Sequence, residues 1–225
     1  QFCARVLPMD YLDRRINNLN ILGYLLQLAP FVRAVILTGS MTTGSAGKRS
    51  DIDLLIITTQ KRLYTARFFV TFGATLTGLR RKPDDKRPAG KFCLNYYLTV
   101  NDLDIKPHTQ RCANFHRYIV NIWDRDGVYE RILRENFWLK NFKVVIKNQN
   151  NTLLLKKNFP IRRLAILGVF RRIFELLFAG HFGNSIERKL FIWQKQKIIS
   201  SALYKNNKST IAVSKNELRL HPQKG

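Results

Sequence analysis

The spacing of hydrophobic and polar residues changes repeatedly along the chain, and it predicts alternating helices and strands. Between residues 10 and 28 the apolar positions recur at helical spacing, and Pro30 ends this pattern. Two short apolar runs rich in β-branched residues follow, at 32–38 and 51–57, and each is typical of a buried strand. We therefore expect a helix packed on a sheet whose first strands are neighbours in the chain.

The same pattern predicts further elements beyond residue 58. In chain order they are a helix at 62–78, a basic loop with prolines at 79–90, a strand at 91–98, a short strand or turn at 102–105, and helices at 109–123 and 127–140. Strands and helices that alternate in this way predict an α/β (α+β) fold with a mixed sheet flanked by helices.

A polar run at 147–152 is typical of a linker, so we predict one domain over 1–146 and a basic, mainly helical subdomain over 153–225. In the second part, residues 161–179 and 185–204 each predict a helix, and 218–222 predicts a short strand or an extended tail. Arg171, Arg172 and Glu175 interrupt the first of these helices, which argues against a membrane span. Packing as a subdomain core is favoured over peripheral contact with an anionic membrane.

The most informative chemistry lies between the first two strands. Gly39 and Ser40 follow the first strand, where a glycine lets the backbone approach a phosphate and a serine adds a hydroxyl. If Met41 begins a helix, the free N–H groups of its first turn would face the same anion. Asp51 and Asp53 open the second strand and, two residues apart, project from one face.

Paired carboxylates beside a phosphate-binding turn suit a metal ion. Mg²⁺ typically binds one or two protein carboxylates together with substrate phosphate oxygens, and two ions can share such ligands about 3.5–4 Å apart. Asp51 and Asp53 are the expected ligands of Mg²⁺, or of Mn²⁺. Taken singly, a Gly-Ser turn or an Asp-x-Asp strand start is commonly structural. The ordered combination of both between two apolar strands favours the metal site.

With these residues the chain resembles the nucleotidyltransferase superfamily that includes DNA polymerase β and kanamycin nucleotidyltransferase. The resemblance rests on Gly39-Ser40, a spacer at 41–50 and Asp51-Ile52-Asp53. The segments 93–97 and 129–138 also resemble small prokaryotic members of the family. It implies transfer of a nucleoside monophosphate from a nucleoside triphosphate, such as ATP, to a hydroxyl acceptor.

The family usually supplies a third carboxylate from a later strand. The predicted strand at 91–98 contains no acid, and Asn95 stands where we would expect one. An amide oxygen can bind a metal ion but cannot act as a base at neutral pH. Asp104, or Asp102, just after this strand, is a weaker candidate for the missing group. Lys48 and Arg49, before Asp51, are candidates to neutralise the charge of a triphosphate. The alternative, that both are simply solvated charges of a loop, has equal weight.

The composition agrees with this interpretation but does not identify the acceptor. The net charge is +24, and residues 151–225 hold 15 basic and 3 acidic residues. A positive charge of this size attracts nucleotides to the protein, and it makes nucleic acid a possible partner. Cys3, Cys93 and Cys112 have no metal-site spacing, so we expect reduced thiols and a cytoplasmic location. The start at Gln1 indicates a trimmed N-terminus without a signal peptide.

The sequence thus predicts a metal-dependent nucleotidyltransferase whose acceptor is unknown. The rival interpretation is a non-catalytic module of the same fold that binds nucleotide or RNA. Asn95, in place of an acid, favours the rival, whereas the intact pair Asp51 and Asp53 favours the enzyme.

Overall fold

The computed structural model describes residues 9–82, 85, 89–147, 149–150, 155, 158–206 and 210–220 of the 225-residue chain. The helices are α1 (Met9–Leu26), α2 (Leu63–Leu76), α3 (Gln110–His116), α4 (Val128–Glu135), a 3₁₀ helix (Phe137–Asn141), α5 (Ala165–Leu177), α6 (Gly180–Ile199) and α7 (Ala202–Asn206). The strands are β1 (Val32–Thr38), β2 (Ile52–Thr58), β3 (Phe92–Thr99), β4 (Val120–Asp124), β5 (Ala212–Val213) and β6 (Glu217–Arg219).

The strands form one mixed sheet in the order β4-β1-β2-β3-β6-β5. Strands β1 and β2 are antiparallel, as are β1 and β4, whereas β2 and β3 are parallel and are joined through α2. Helices lie on both faces of this sheet, so the fold is α/β with a mixed sheet, as the sequence predicts. The neighbouring strands β1 and β2 carry the phosphate-binding and carboxylate motifs: Gly39 follows the end of β1, and Asp51 and Asp53 lie at the start of β2.

Burial on both faces explains why β2 is an almost continuous apolar run. Leu54 and Ile56 belong to the hydrophobic core on the side of α1 and α2, while Leu55 and Ile57 belong to the core on the side of α3 and α4. A strand covered on both faces gains free energy from apolar side chains in both directions. Asp53 interrupts this run on the α3 face, where it is 7% exposed.

The predicted helix at 109–123 is wrong over its second half. The helix α3 ends at His116, and the following residues form β4, which pairs with β1 from Ala34 to Leu37. The segment Val120-Asn121-Ile122-Trp123 is rich in β-branched and aromatic residues, which favour a strand when a neighbouring edge is open. The exposed edge of β1 supplies that neighbour, so tertiary pairing decides the structure here.

The C-terminal part of the chain is not wholly helical. Strand β6 pairs with β3 between Glu217 and Arg219, and β5 adds the outermost strand. The expected strand or tail at 218–222 is thus a sheet strand at 218 and 219, while 221 and 222 lie outside the described residues. Part of the predicted linker, residues 148, 151 and 152, also lies outside the described residues. The division into two domains stays a prediction.

Partly buried polar contacts join α5 and α6 to the sheet and to α2. The Glu187 carboxylate of α6 accepts hydrogen bonds from the backbone N–H groups of Tyr64 and Thr65, at 2.9 and 2.8 Å, in the first turn of α2. Glu175 of α5 accepts from the backbone N–H of Phe31 at 3.0 Å and pairs with Arg125 at 3.3 Å. These contacts join the two helices to the start of β1 and of α2.

The apolar side of α5 faces away from the core. Arg171 is the buried residue of this helix, whereas large apolar side chains are exposed, namely Ile166, Val169, Phe170, Ile173, Leu176 and Leu177. The expectation that this helix forms the core of a helical subdomain is therefore wrong. The physical reason is that α5 approaches the domain through its polar residues, Arg171 and Glu175. None of the helices in the described ranges is long and apolar enough to cross a membrane.

Candidate functional site

A tight turn after β1 forms one wall of the site. Gly39 has a φ of +76°, and its N–H donates a hydrogen bond to the Phe115 carbonyl of α3 at 2.9 Å. A Cβ atom at this position would lie 2.6 Å from Oδ2 of Asp53. Both the positive φ and the close carboxylate therefore require glycine here. Residues 39–44 form successive turns, so Met41 does not begin a helix.

The loop from Ser40 to Ser50 is held by a buried arginine. The Ser40 carbonyl accepts hydrogen bonds from the N–H groups of Ser45 and Ala46, at 2.9 and 3.0 Å. The Arg15 guanidinium of α1 donates to the carbonyls of Gly47 and Ser50, at 2.8 and 2.7 Å. Burial lowers the pKa of Arg15, and the Asp51 charge opposes that shift. Arg15 thus fixes the backbone that leads into Asp51.

The carboxylates of Asp51 and Asp53 converge with the thiol of Cys93. One ligand atom from each of these three side chains lies within 4.8 Å of the other two. The strand pairing explains this arrangement, because Asp53 lies opposite Cys93 on parallel β3 and opposite Thr38 on β1. Within the described residues, this is the group of histidine, cysteine and acidic side chains that could hold a metal ion.

Two residues of β3, Cys93 and Asn95, both line the site. The pairing of β2 with β3 shifts between Asp53 and Leu55, so that Leu55 lies opposite Tyr96. Asn95 and Tyr96 consequently both line the site, while Tyr97 joins the core on the opposite face. Strand alternation predicts that Asn95 shares a face with both Cys93 and Tyr97, but because of the shift it shares one with Cys93 alone. Asn95 lies next to the site, and Cys93 lies directly across from Asp53.

The Cys93 thiol is buried among negative charges. Burial raises its pKa well above the ordinary value, and the carboxylates of Asp53 and Asp51 raise it further. Without a bound cation the thiol is therefore protonated at neutral pH. This protonation is consistent with three potentially anionic groups sharing a small space.

A second arginine balances the charge of this group. The Arg81 guanidinium donates a hydrogen bond to Oδ2 of Asp51 and forms an ion pair with it. Burial alone would lower the pKa of Arg81, but the Asp51 carboxylate outweighs that effect and the pKa is raised. A cation bound at Asp51 must share this carboxylate with Arg81. The guanidinium therefore limits how strongly the site attracts metal ions.

A cavity of about 100 Å³ opens beside Asp53 and Cys93. The side chains around it combine positive charge with aromatic rings, which suits an anionic or planar group. Three elements besides β1 and β2 supply these residues: Arg111, Phe115 and His116 come from α3, Tyr96 from β3 and Arg219 from β6. The last of these could not be found from the sequence, because β6 lies far along the chain from β2.

Of the remaining predicted residues, some lie beside Asp53 and others lie elsewhere. Ser40 belongs to the turn beside Asp53, whereas Lys48 and Arg49 are exposed in the loop, with the Lys48 ammonium 5.5 Å from the centre of the Tyr11 ring. Asp104 is not among the three grouped ligands. Its carboxylate instead pairs with His108 at 2.7 Å and with Lys106 at 3.6 Å.

The donor set fits a divalent metal ion. Two carboxylates on one strand end supply the oxygen ligands that Mg²⁺ and Mn²⁺ prefer, and the thiol supplies a softer third ligand. The rest of the site offers an open cavity on the α3 face, and the glycine turn lies next to it, since a Cβ at Gly39 would approach both Asp53 and the Phe115 ring. Metal ion and substrate can thus reach Asp53 from the same space.

Comparison with known families agrees with this geometry. Residues 20–129 match the family model described as a nucleotidyltransferase domain, so the chain carries a domain of the nucleotidyltransferase superfamily. The matched segment includes the turn at Gly39, both aspartates and the β3 strand with Cys93. The resemblance inferred from the motifs is confirmed. Searches among curated proteins and among solved structures gave no significant match.

Proposed function

We propose that the protein is a metal-dependent nucleotidyltransferase that transfers a nucleoside monophosphate from a nucleoside triphosphate to a hydroxyl acceptor. The observation that carries this proposal is the convergence of Asp51 and Asp53 beside the Gly39 turn. Such a site needs ligands for a metal ion and a backbone that comes close to phosphates, and both are present within one family domain.

In the proposed reaction, the acceptor oxygen attacks the α-phosphorus in line with the leaving group. A bond forms between that oxygen and phosphorus, the bond from phosphorus to the pyrophosphate oxygen breaks, and the acceptor proton leaves to solvent or to a carboxylate. Divalent metal ions held by Asp51 and Asp53 would offset the charge that develops on the phosphate oxygens. The two aspartates by themselves favour Mg²⁺, with Mn²⁺ as the alternative.

The protein's own residues have distinct roles in this proposal. Gly39 and Ser40 hold the triphosphate, because the turn brings backbone to the carboxylates without an intervening side chain. Arg15 is a positioning residue, since it fixes the carbonyls of the loop before Asp51. Arg111 and Arg219 in the cavity can bind an anionic part of either substrate.

A non-catalytic nucleotide-binding module is the second candidate. The observation that favours it is that Cys93 and Asn95 face the site from β3, where neither side chain is a carboxylate. Neither a protonated thiol nor an amide takes a proton from a hydroxyl efficiently at neutral pH. Such a module would still bind a metal ion and a nucleotide, but it would not release pyrophosphate.

Pyrophosphate release from each nucleoside triphosphate, in the presence of a host-cell extract and Mg²⁺ or Mn²⁺, separates the two candidates. We expect release with the intact protein and a loss of at least about 100-fold in Asp51→Asn and Asp53→Asn, since both substitutions remove a metal ligand. Asp126→Asn is the matched control, because Asp126 is half exposed and pairs with Arg33. Metal-dependent nucleotide binding without pyrophosphate release would instead support the binding module.

A further inference from the structure

The chemistry of Cys93 determines which metal ion suits the site. Its thiol lies with the carboxylates of Asp51 and Asp53 in a group whose ligand atoms all fall within 4.8 Å of one another. Sulfur is a poor ligand for Mg²⁺, which prefers oxygen, and a good ligand for Zn²⁺ and its analogue Co²⁺. A site with one thiolate and two carboxylates therefore differs in metal preference from a site with carboxylates alone.

We propose that Asp51, Asp53 and Cys93 together form a three-ligand site that binds Zn²⁺ in preference to Mg²⁺, leaving a further coordination position open toward the cavity. This inference rests on the metal site of the proposed function but not on its reaction. Three protein ligands with one open position are typical of zinc sites that also bind substrate. Two of the three ligands, Asp53 and Cys93, line the cavity.

The geometry of the group is compatible with a single ion. Bonds from zinc to carboxylate oxygen and thiolate sulfur are about 2.0–2.3 Å long, which places tetrahedral ligand atoms about 3.5 Å apart. The observed separations of up to 4.8 Å would close by small rotations of the three side chains. When the ion binds, it replaces the thiol proton, and that proton is released to the buffer.

The position of Cys93 in the fold makes this arrangement specific. Cys93 lies opposite Asp53 in the parallel pairing of β2 with β3, so the sheet itself fixes the distance between sulfur and carboxylate. Cys93 is also 3% exposed and lines the cavity. The other described cysteine, Cys112, is equally buried but lies on α3 beside His116, with its sulfur 3.5 Å from Nδ1 of that ring. It provides a matched control.

Cobalt binding measures the sulfur ligand directly, without any assay of activity. Titration of the metal-free full-length protein with Co²⁺ is expected to produce a near-ultraviolet thiolate-to-cobalt charge-transfer band that saturates at one ion per chain. The band is expected in Cys112→Ala and absent in Cys93→Ser. Zn²⁺ is expected to displace Co²⁺ completely, whereas Mg²⁺ in large excess is not.

Affinities of the variants test the preference itself. Loss of a group that merely supports a ligand costs about 10–100-fold in metal affinity, so loss of the sulfur ligand in Cys93→Ser is expected to weaken Zn²⁺ binding by about 100-fold or more. Cys93→Asp restores an all-carboxylate site and is expected to shift the preference toward Mg²⁺ and Mn²⁺. Circular dichroism of each variant establishes that the fold is retained.

Two results would overturn the inference: a cobalt complex without the charge-transfer band, or a band that persists in Cys93→Ser. Failure of the proposed function is distinguishable from this failure. Pyrophosphate release together with either of these two results would retain the enzyme and remove the zinc site. A cobalt band without release of pyrophosphate would retain the zinc site and remove the enzyme.

Discussion

Gly39 brings the backbone closest to the candidate ligands, and it has a useful counterpart in Gly78. Both residues have a positive φ, +76° and +70°, but a Cβ at Gly39 would meet Asp53, whereas a Cβ at Gly78 would meet nothing within 4 Å. The two positions therefore separate the cost of backbone strain from the cost of the contact with the carboxylate.

We predict that Gly39→Ala lowers the free energy of unfolding by more than Gly78→Ala. A non-glycine residue at positive φ costs about 1–2 kcal/mol, and only Gly39→Ala also pushes a methyl group against Oδ2 of Asp53. Chemical unfolding of both variants measures the difference, and titration with the metal–nucleotide complex is expected to show weaker binding for Gly39→Ala alone. Equal losses of stability with equal nucleotide affinities would contradict the close approach.

Arg81 competes with any cation for the Asp51 carboxylate. We predict that Arg81→Gln binds divalent metal ions more tightly than the intact protein, because Oδ2 of Asp51 loses its guanidinium partner and a nearby positive charge is removed. Removal of one charge near a partly exposed site is expected to change the affinity about 5–10-fold. Calorimetric titration with Mn²⁺ or Zn²⁺ provides the measurement.

Lys82→Gln is the control for Arg81→Gln, since Lys82 is exposed and adjacent in the chain and carries the same charge. An equal gain in both variants would mean that the general positive field, not the contact with Asp51, sets the metal affinity. A loss of affinity in Arg81→Gln would contradict the competition.

The sequence identifies those site residues whose placement depends only on nearby residues in the chain. Asp51 and Asp53 are two apart, and Gly39 follows a recognisable strand, so their placement needs only strand periodicity. Arg15 and Arg81 act on residues more than 25 positions away, and no spacing rule connects them. The sequence does not identify Cys93 as a ligand, because the residue of β3 that lies opposite Asp53 depends on how β2 and β3 pair.

At the scale of secondary-structure elements, a side chain of α6 caps the N-terminus of α2. The Glu187 carboxylate accepts hydrogen bonds from the N–H groups of Tyr64 and Thr65, and from the Thr65 hydroxyl at 2.6 Å. These N–H groups lie in the first turn of α2, where a helix has no internal acceptors and a negative charge is favourable. The arrangement replaces the usual capping residue, since Arg62 before this helix makes no capping hydrogen bond.

We predict that Glu187→Ala lowers the free energy of unfolding by about 2–3 kcal/mol, because it leaves buried N–H donors without their acceptor. Glu187→Gln is expected to cost less, since the amide oxygen still accepts one of these bonds. Glu130→Ala is a suitable control on α4, where the side chain is exposed. Urea unfolding followed by circular dichroism measures all three, and equal stabilities of Glu187→Ala and Glu130→Ala would contradict the capping role.

Elements with strong local signals were predictable, and those that depend on distant partners were not. The helices α1 and α2 and the strands β1, β2 and β3 agree with the hydrophobic pattern. The pattern predicts a helix where β4 forms, since the strand depends on the open edge of β1. The exposed apolar side of α5 was also unexpected, because the polar contacts of Glu175 with Phe31 and Arg125 could not be inferred from helical spacing.

At the scale of the whole molecule, buried thiol and phenol groups make the free energy of unfolding depend on pH in the alkaline range. Burial raises the pKa of Cys112 to about 12 from 9.0, and that of Tyr97 to about 12 from 10.0. The unfolded chain therefore releases these protons at lower pH than the folded protein. Their stabilising contribution is complete below the unfolded pKa and is lost as the pH rises through the folded pKa.

We predict that the free energy of unfolding falls between about pH 9 and pH 12, with each such group contributing about 1.4 kcal/mol per pH unit over the range between its two pKa values. Urea unfolding at a series of pH values gives this slope. Cys112→Ser, which lacks the titrating thiol, is expected to show a shallower slope. A constant stability from pH 8 to 11, or an unchanged slope in the variant, would contradict this linkage.

The fold and the superfamily were predictable from the sequence because one ordered motif lies between two apolar strands, and both predictions are confirmed. The third ligand and the cavity were not predictable, since β3, α3 and β6 meet there only through tertiary structure. The net charge of +24 gives a strongly positive field but does not select an acceptor.

The most direct test of the proposed reaction compares nucleoside triphosphates labelled at the α-phosphate with those labelled at the γ-phosphate, incubated with the protein, divalent metal ion and host-cell extract. The account predicts that α-label enters an acceptor while γ-label leaves in pyrophosphate, and that Asp51→Asn with Asp53→Asn abolishes both. Transfer of γ-label to an acceptor, or retention of all label in the nucleotide despite metal-dependent binding, would contradict nucleotidyl transfer.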